Sequence, residues 1–116
     1  DVIGIWIDDP RHPNAWEHFL KDFNNYGTLR WTNTGLTKSI VFLDFIVSIT
    51  PKNKLSFTSY LKPMNLHLYI PPHSAHPPGV TLGTIIGMVK TYWETNTNPK
   101  DFIHHVSELY ARFVRR

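Results

Sequence analysis

A proline-rich stretch divides this chain into two parts whose apolar residues repeat with different periods. Residues 71–78 read PPHSAHPP, and four prolines in eight positions exclude a regular helix or strand there. Short β-rich apolar runs predominate before this stretch, and apolar residues recur at helical spacing after it. The pattern predicts an α+β fold with antiparallel strands and one helix over residues 1–70, followed by a helical hairpin over 71–116.

The first part contains β-rich runs and one amphipathic segment. Residues 2–7 (VIGIWI), 29–32 and 66–70 each predict a short strand. Residues 14–26 predict a helix. Its apolar positions are Trp16, Phe19, Leu20 and Phe23.

The longest β-rich runs are Ser39–Thr50 and Lys54–Leu61, which are separated only by the turn residues PKN. So short a break between two β-rich arms predicts an antiparallel hairpin. In the second arm apolar residues alternate with Ser56, Thr58 and Tyr60, so we expect one face of the hairpin to present hydroxyl groups.

The second part predicts two helices, over residues 80–95 and 99–115, joined by the short sequence NTN. Pro99 fits the first turn of the second helix. This arrangement is a helical hairpin that resembles a helix-turn-helix. The expected contact residues are Leu82, Ile86, Val89, Trp93, Phe102, Val106, Leu109 and Phe113.

Composition limits the kinds of site the chain can form. It has no cysteine, which excludes disulfides and thiolate metal sites, and its 41% hydrophobic residues suffice for a packed core. The longest apolar run, Ile40–Ile49, contains Asp44 and Ser48 and is too short to cross a bilayer. We therefore expect an intracellular protein, nuclear or cytoplasmic, without a membrane partner.

Charge is distributed unevenly along the sequence. Residues 1–50 hold four basic and six acidic residues, a net charge of −2, and residues 51–116 hold eight and three, a net charge of +5. A basic half suits a surface that follows phosphates, although on charge alone an ordinary solvated surface is the favoured interpretation.

Four short motifs occur in an order that is specific. They are FLD at Phe42–Asp44, Tyr60 with Lys62 and Pro63, Tyr69 with Ile70, and the turn Ser74–Pro77. This order resembles the region after the catalytic hairpin in reverse transcriptases of Penelope-like and related retroelements. The opening DVIGIW resembles the residues that follow the first aspartate of the paired-aspartate motif, so the resemblance covers nearly the whole chain.

The resemblance implies part of an RNA-directed DNA polymerase. Residues 1–70 would form the end of the palm with its primer-grip hairpin, and residues 71–116 the thumb. Asp1 would be the second aspartate of the catalytic pair and a possible Mg²⁺ ligand in the intact enzyme. Because Asp1 starts the chain without a methionine and Arg115 and Arg116 continue a helical pattern, we expect a fragment whose upstream fingers and palm lie elsewhere in the same polypeptide.

The resemblance also implies residues that contact a primer–template duplex, namely Tyr60, Lys62, His73, Ser74, His76 and Lys90. Tyr60 and Lys62 would lie at the tip of the hairpin, where a hydroxyl and an ammonium can contact phosphate oxygens without reading bases. The alternative for these two residues is a packing tyrosine and an exposed lysine. Two Mg²⁺ ions need more carboxylates than Asp1 supplies, so we expect the fragment to bind no cofactor and to be inactive alone.

Other pairs of residues invite a metal interpretation. Asp8 and Asp9 precede Pro10, which favours a turn. His73 with His76, and His104 with Glu108, have spacings that zinc tolerates, but no cysteine completes either set. Two rival functions remain open, a stand-alone helix-turn-helix module that binds nucleic acid without catalysis and a purely structural piece.

Overall fold

The computed structural model describes residues 1–63 and 75–114, which fall into two compact units, Asp1–Thr37 and Lys38–Arg116. Within the described residues the elements are helices α1, α2 and α3 and strands β1, β2 and β3. In chain order they are α1 (Ala15–Phe23), β1 (Ser39–Phe42), β2 (Phe45–Ile49), β3 (Leu55–Ser59), α2 (Val80–Thr95) and α3 (Pro99–Val114). The predicted α+β class with a C-terminal helical hairpin is confirmed. The predicted strand at 66–70 and the boundary at residue 71 lie outside the described residues.

In the first unit α1 is the predicted helix, although it is shorter than residues 14–26. The two strands predicted beside it, at 2–7 and 29–32, are wrong. A strand needs a hydrogen-bonded neighbour, and neither segment has one among the described residues. The second segment is held differently, since the Trp31 amide donates to Oδ1 of Asn24 (2.8 Å) just after α1.

Aromatic rings provide the packing of this unit. Trp6 lies 5.0 Å from Trp16 and 5.4 Å from Phe19 between ring centroids, and Phe23 lies 5.0 Å from Trp31. These distances are typical of favourable ring pairs. Within residues 2–7, Trp6 packs its ring on α1, whereas the other apolar side chains of the segment are exposed.

The second unit is built on an antiparallel sheet with the order β1-β2-β3 among the described residues. The predicted antiparallel hairpin is confirmed as β2 and β3, in which Ile49 pairs with Leu55 and Phe45 with Ser59. The first arm is not one strand, because the chain folds back between Phe42 and Phe45. Leu43 adopts a φ of 54° in this tight turn, a conformation that leucine rarely takes and that the sequence does not signal.

Both predicted C-terminal helices are confirmed, but the expected contact face of α2 is partly wrong. Leu82, Ile86 and Trp93 are 62%, 47% and 69% exposed. Tyr92 is buried instead and stacks on His105 of α3, where Leu109 is also buried. On α3 the expected residues Phe102, Val106 and Phe113 are half-buried. The core therefore lies where β3, α2 and α3 meet.

The link between α2 and α3 binds the edge of β3. The Thr97 amide donates to the Phe57 carbonyl and the Phe57 amide donates to Oγ1 of Thr97, both at 2.8 Å. The Ser59 amide donates to Oδ1 of Asn96 at 2.9 Å. The link thus occupies hydrogen-bonding positions that another strand would use, and it fixes the helical hairpin to the sheet.

Candidate nucleic-acid interface

Tyr60 and Lys62 follow β3 directly and border a cavity of about 600 Å³. The Tyr60 amide donates to the Asp44 carbonyl (2.8 Å), which places the end of β3 beside the turn between β1 and β2. Tyr60 is half-buried and Lys62 is exposed. The expectation that both lie at the hairpin tip is wrong, because the turn at Pro51–Asn53 closes the opposite end of β3.

The walls of this cavity combine one cation, one carboxylate and several hydroxyl groups. Lys62 and the Tyr60 hydroxyl can donate hydrogen bonds to a phosphate, whereas the Thr91 and Thr95 hydroxyls donate to the Gly87 and Thr91 carbonyls. The exposed Asp44 limits how closely an anion can approach its own side of the opening. The cavity can therefore contact a phosphate oxygen through Lys62. The lining residues are Asp44, Phe45, Ser59, Tyr60, Leu61, Lys62, Thr91, Tyr92 and Thr95.

A buried polar network holds the end of β3 against α2 behind the cavity. The Ser59 and Thr95 hydroxyls lie 2.6 Å apart. Nδ2 of Asn96 donates to Ser59 Oγ and to the Tyr92 carbonyl, both at 2.8 Å. Because Ser59 is only 8% exposed, its polar atoms depend on these partners, and the network fixes the position of Tyr60.

His105 closes the same core from α3. Its ring stacks on Tyr92 at 5.2 Å, and it is 9% exposed. Burial and then the neighbouring His104 lower the pKa of His105, while Glu108, Asp101 and a hydrogen bond with the Ser59 backbone act in the opposite direction. Its Nδ1 has no hydrogen-bond partner among the described residues, so the neutral ring is the form that fits.

The remaining expected contact residues are not gathered around this cavity. Lys90 is exposed on α2 and His76 is exposed ahead of that helix, and neither is among the described residues that line the cavity. His73 and Ser74 lie outside the described residues. The structure thus brings together Tyr60 and Lys62 from the expected set.

Asp1, the expected catalytic residue, is exposed. Within residues 1–63 and 75–114, no three metal-ligating side chains come together. Two Mg²⁺ ions require several carboxylates, so the described residues do not by themselves fit such a pair of ions.

The other acidic candidates are engaged locally. Both Asp9 oxygens bind the Arg11 side chain, which together with the Arg11 amide lowers the pKa of Asp9. This agrees with the predicted turn. Glu108 lies 3.8 Å from His104 and 3.3 Å from Arg112, so the three residues form a row along α3 in which His104 is exposed and the other two are half-buried.

Comparison with protein-family models, with curated proteins and with solved structures finds no match to this chain. None of the helices in the described part of the chain is long and apolar enough to cross a membrane.

Sequence reasoning missed the residues that complete the cavity, Asp44, Thr91 and Thr95. It read Asp44 as an interruption of a strand, whereas the residue belongs to the turn that borders the cavity. The contact of the NTN link with β3 could have been predicted, because Asn and Thr side chains readily form hydrogen bonds with nearby backbone groups.

Proposed function

We propose that this chain forms the end of the palm and the thumb of a reverse transcriptase of Penelope-like or related retroelements. In this role it binds the primer–template duplex and acts in the nucleus or cytoplasm. The order of the four sequence motifs and the α+β fold with a helical hairpin support the proposal. The observation that carries it is the meeting of Tyr60 and Lys62 at the mouth of one hydroxyl-lined cavity.

This cavity suits a polymerase because it contacts phosphates without selecting a base. Lysine and hydroxyl side chains position a nucleic acid through its backbone, which carries no sequence information. A polymerase must hold any sequence equally well. The second unit also carries nine Lys and Arg residues against four Asp and Glu residues over positions 38–116, so its net charge favours a polyanion.

Polymerisation itself requires residues beyond those described. Mg²⁺ would activate the primer hydroxyl and neutralise the triphosphate in the intact enzyme. In the proposal Asp1 is the second aspartate of the catalytic pair, and the upstream fingers and palm supply the other carboxylates. We accordingly expect this chain to bind duplex and not to extend a primer.

The test is fluorescence anisotropy with a labelled RNA–DNA hybrid over a range of salt concentrations. We expect weak binding that is indifferent to sequence and lost steeply with added salt. The double variant Tyr60→Phe with Lys62→Gln should weaken it, and Lys21→Gln on α1 provides a control with the same change of charge. Circular dichroism checks that the variants fold alike.

Three results would contradict the proposal. They are equal binding by the double variant and the wild type, Mg²⁺-dependent primer extension by the pure chain, and tight binding to one DNA sequence. The last result would favour a stand-alone helix-turn-helix module, whose second helix reads base edges in the major groove.

A further inference from the structure

Three lysines lie together at the end of the sheet that is opposite Tyr60 and Lys62. The Lys38 carbonyl accepts a hydrogen bond from the Ile49 amide (2.9 Å), and the Lys54 carbonyl accepts one from the Thr50 amide (2.8 Å). Lys52 lies in the turn between β2 and β3. Adjacent strands are about 4.8 Å apart, so the backbones of Lys38 and Lys54 lie roughly 10 Å from each other across β2.

These residues, here named the lysine end, are exposed and concentrate positive charge. None of Lys38, Lys52 and Lys54 forms an ion pair with a described residue. Asp44 lies in the turn at the far end of β1 and β2, and the Asp101 carboxylate accepts a hydrogen bond from the Thr58 hydroxyl farther along β3 (3.0 Å). The lysine end therefore attracts anions without a neutralising carboxylate in its own turn.

A row of serines crosses the sheet next to the lysine end. Ser39 pairs with Ser48, and Ser48 pairs with Ser56, so their side chains lie on one face. The Ser39 and Ser48 hydroxyls are 3.0 Å apart. Because side chains alternate along a strand, Lys54 is on the same face as Ser56, whereas Lys38, which lies opposite Ile49, is on the other face. Lys52 and Lys54 are therefore the lysines that can act together with the serine row.

A hollow of about 500 Å³ joins the two features. It places lysine ammonium groups and hydroxyl donors around one surface, which is the combination that contacts phosphate oxygens in nucleic-acid complexes. The hollow is lined by Thr50, Pro51, Lys52, Lys54, Leu55, Ser56 and Thr97.

We propose that the lysine end and the serine row form a second contact surface for the sugar–phosphate backbone of a nucleic-acid duplex. This inference rests on the proposed function and adds to it a surface that the sequence motifs did not assign. From Lys54 to Tyr60 the chain runs six residues, or roughly 20 Å at strand spacing. One base pair rises about 3.4 Å, so a duplex longer than about six base pairs can reach both ends of β3.

The chemistry favours a nucleic acid over an acidic peptide. Phosphates repeat at regular spacing along a strand and accept hydrogen bonds from both lysine and serine. An acidic protein partner is expected to bring apolar or aromatic anchors to the centre of its interface. The hollow presents two lysines and three hydroxyl residues beside the apolar Pro51 and Leu55. The preference for a nucleic acid therefore rests on the two lysines and on the spacing of phosphates.

The test measures how the affinity for a twelve-base-pair RNA–DNA hybrid depends on salt. The slope of log K against log salt is negative, and each lost phosphate contact makes it less steep by about 0.9. We expect Lys54→Gln to reduce the steepness of the slope by about 0.9, and the double variant Lys52→Gln with Lys54→Gln to reduce it by about 1.8. Lys21→Gln should leave the slope unchanged. Ser48→Ala should weaken binding a few-fold without a change in slope, because it removes a neutral donor.

Two outcomes overturn the inference while leaving the proposed function intact, provided that the Tyr60 and Lys62 double variant binds more weakly than the wild type. The first is an unchanged slope in both lysine variants. The second is equal competition by polyglutamate of the same total charge, which would show a surface without preference for phosphate. If the wild type binds no hybrid at low salt, both the proposed function and this inference fail.

Discussion

Thr97 and Phe57 are joined by two hydrogen bonds of 2.8 Å, one in each direction. The Thr97 amide satisfies the Phe57 carbonyl, and the Thr97 hydroxyl accepts from the Phe57 amide. A residue in the loop between two helices thus satisfies both backbone groups of a residue in the edge strand β3. This contact makes the helical hairpin and the sheet parts of one cooperative structure.

Replacing Thr97 with valine should destabilise the protein. The substitution keeps the shape of the side chain but removes the acceptor of the Phe57 amide, which costs about 1 kcal/mol. Urea unfolding followed by circular dichroism measures the change. Thr91→Val is the matched control, since its hydroxyl bonds only to the Gly87 carbonyl within α2. An equal loss in both variants would show that the contact with β3 has no special weight.

Replacing Asn96 with aspartate should cost more. The carboxylate keeps the acceptor for the Ser59 amide but loses both donors, to Ser59 Oγ and to the Tyr92 carbonyl. Losing these two hydrogen bonds from a part-buried network costs about 2–3 kcal/mol in the free energy of unfolding.

The neighbouring Asn98 provides the control for that change. Its Oδ1 accepts from the Lys100 amide (3.0 Å) just before α3, and aspartate serves equally well at such a position. Asn98→Asp should therefore leave the midpoint of urea unfolding nearly unchanged. Similar losses in the two variants would contradict the role assigned to the donors of Asn96.

Stability should fall in mild acid because of His105. Its pKa in the folded protein is lowered, first by burial and then by His104, so the unfolded chain binds a proton more readily. The contribution of His105 is complete above its unfolded pKa of about 6.5 and is lost as the pH falls from there toward the lowered folded pKa. The slope in this window is at most about 1.4 kcal/mol per pH unit.

Urea unfolding at several pH values tests this expectation, together with an NMR titration of the histidine ring signals. His105→Phe, which keeps a ring against Tyr92, should remove the slope, and His104→Gln should retain most of it because burial, the larger cause, remains. The NMR titration gives the answer even if the Phe variant folds poorly. A His105 signal that titrates at or above the ordinary histidine pKa of about 6.5 would refute the assignment.

Leu43→Gly should stabilise the turn between β1 and β2. Leucine at a φ of 54° is strained, its side chain is 58% exposed, and glycine adopts this φ freely. We expect a gain of up to about 1 kcal/mol, offset in part by the greater freedom of glycine in the unfolded chain. Leu36→Gly, at an exposed loop residue without positive φ, should give no gain. A loss at position 43 would mean that Leu43 packs more than its exposure suggests.

The sequence predicted the elements that depend on local pattern. The helices α1, α2 and α3 follow from apolar spacing, and β2 and β3 follow from β-rich runs around PKN. The turn at Leu43 contains no glycine or asparagine, so the sequence pattern predicted β1 and β2 as a single strand. Residues 2–7 have a strand-like composition, but composition does not supply the neighbour that a strand requires.

The site was predictable only in part for a similar reason. Tyr60 and Lys62 line the same cavity because they are close in sequence. The cavity is also lined by Thr91 and Thr95, which lie about thirty residues later. The burial of Tyr92 in place of Trp93 depends on how α2 is rotated against β3. That rotation is fixed by the hydrogen bonds of Asn96 and Thr97, which no helical periodicity encodes.

The link at residues 96–98 is also the segment whose length is least free to vary. Loops between helices usually tolerate an added residue, because few contacts depend on their exact course. Here an insertion would move Thr97 out of step with Phe57 and separate the Asn96 side chain from Ser59. The neighbouring strand, and not the two helices that it joins, therefore sets the length of this loop.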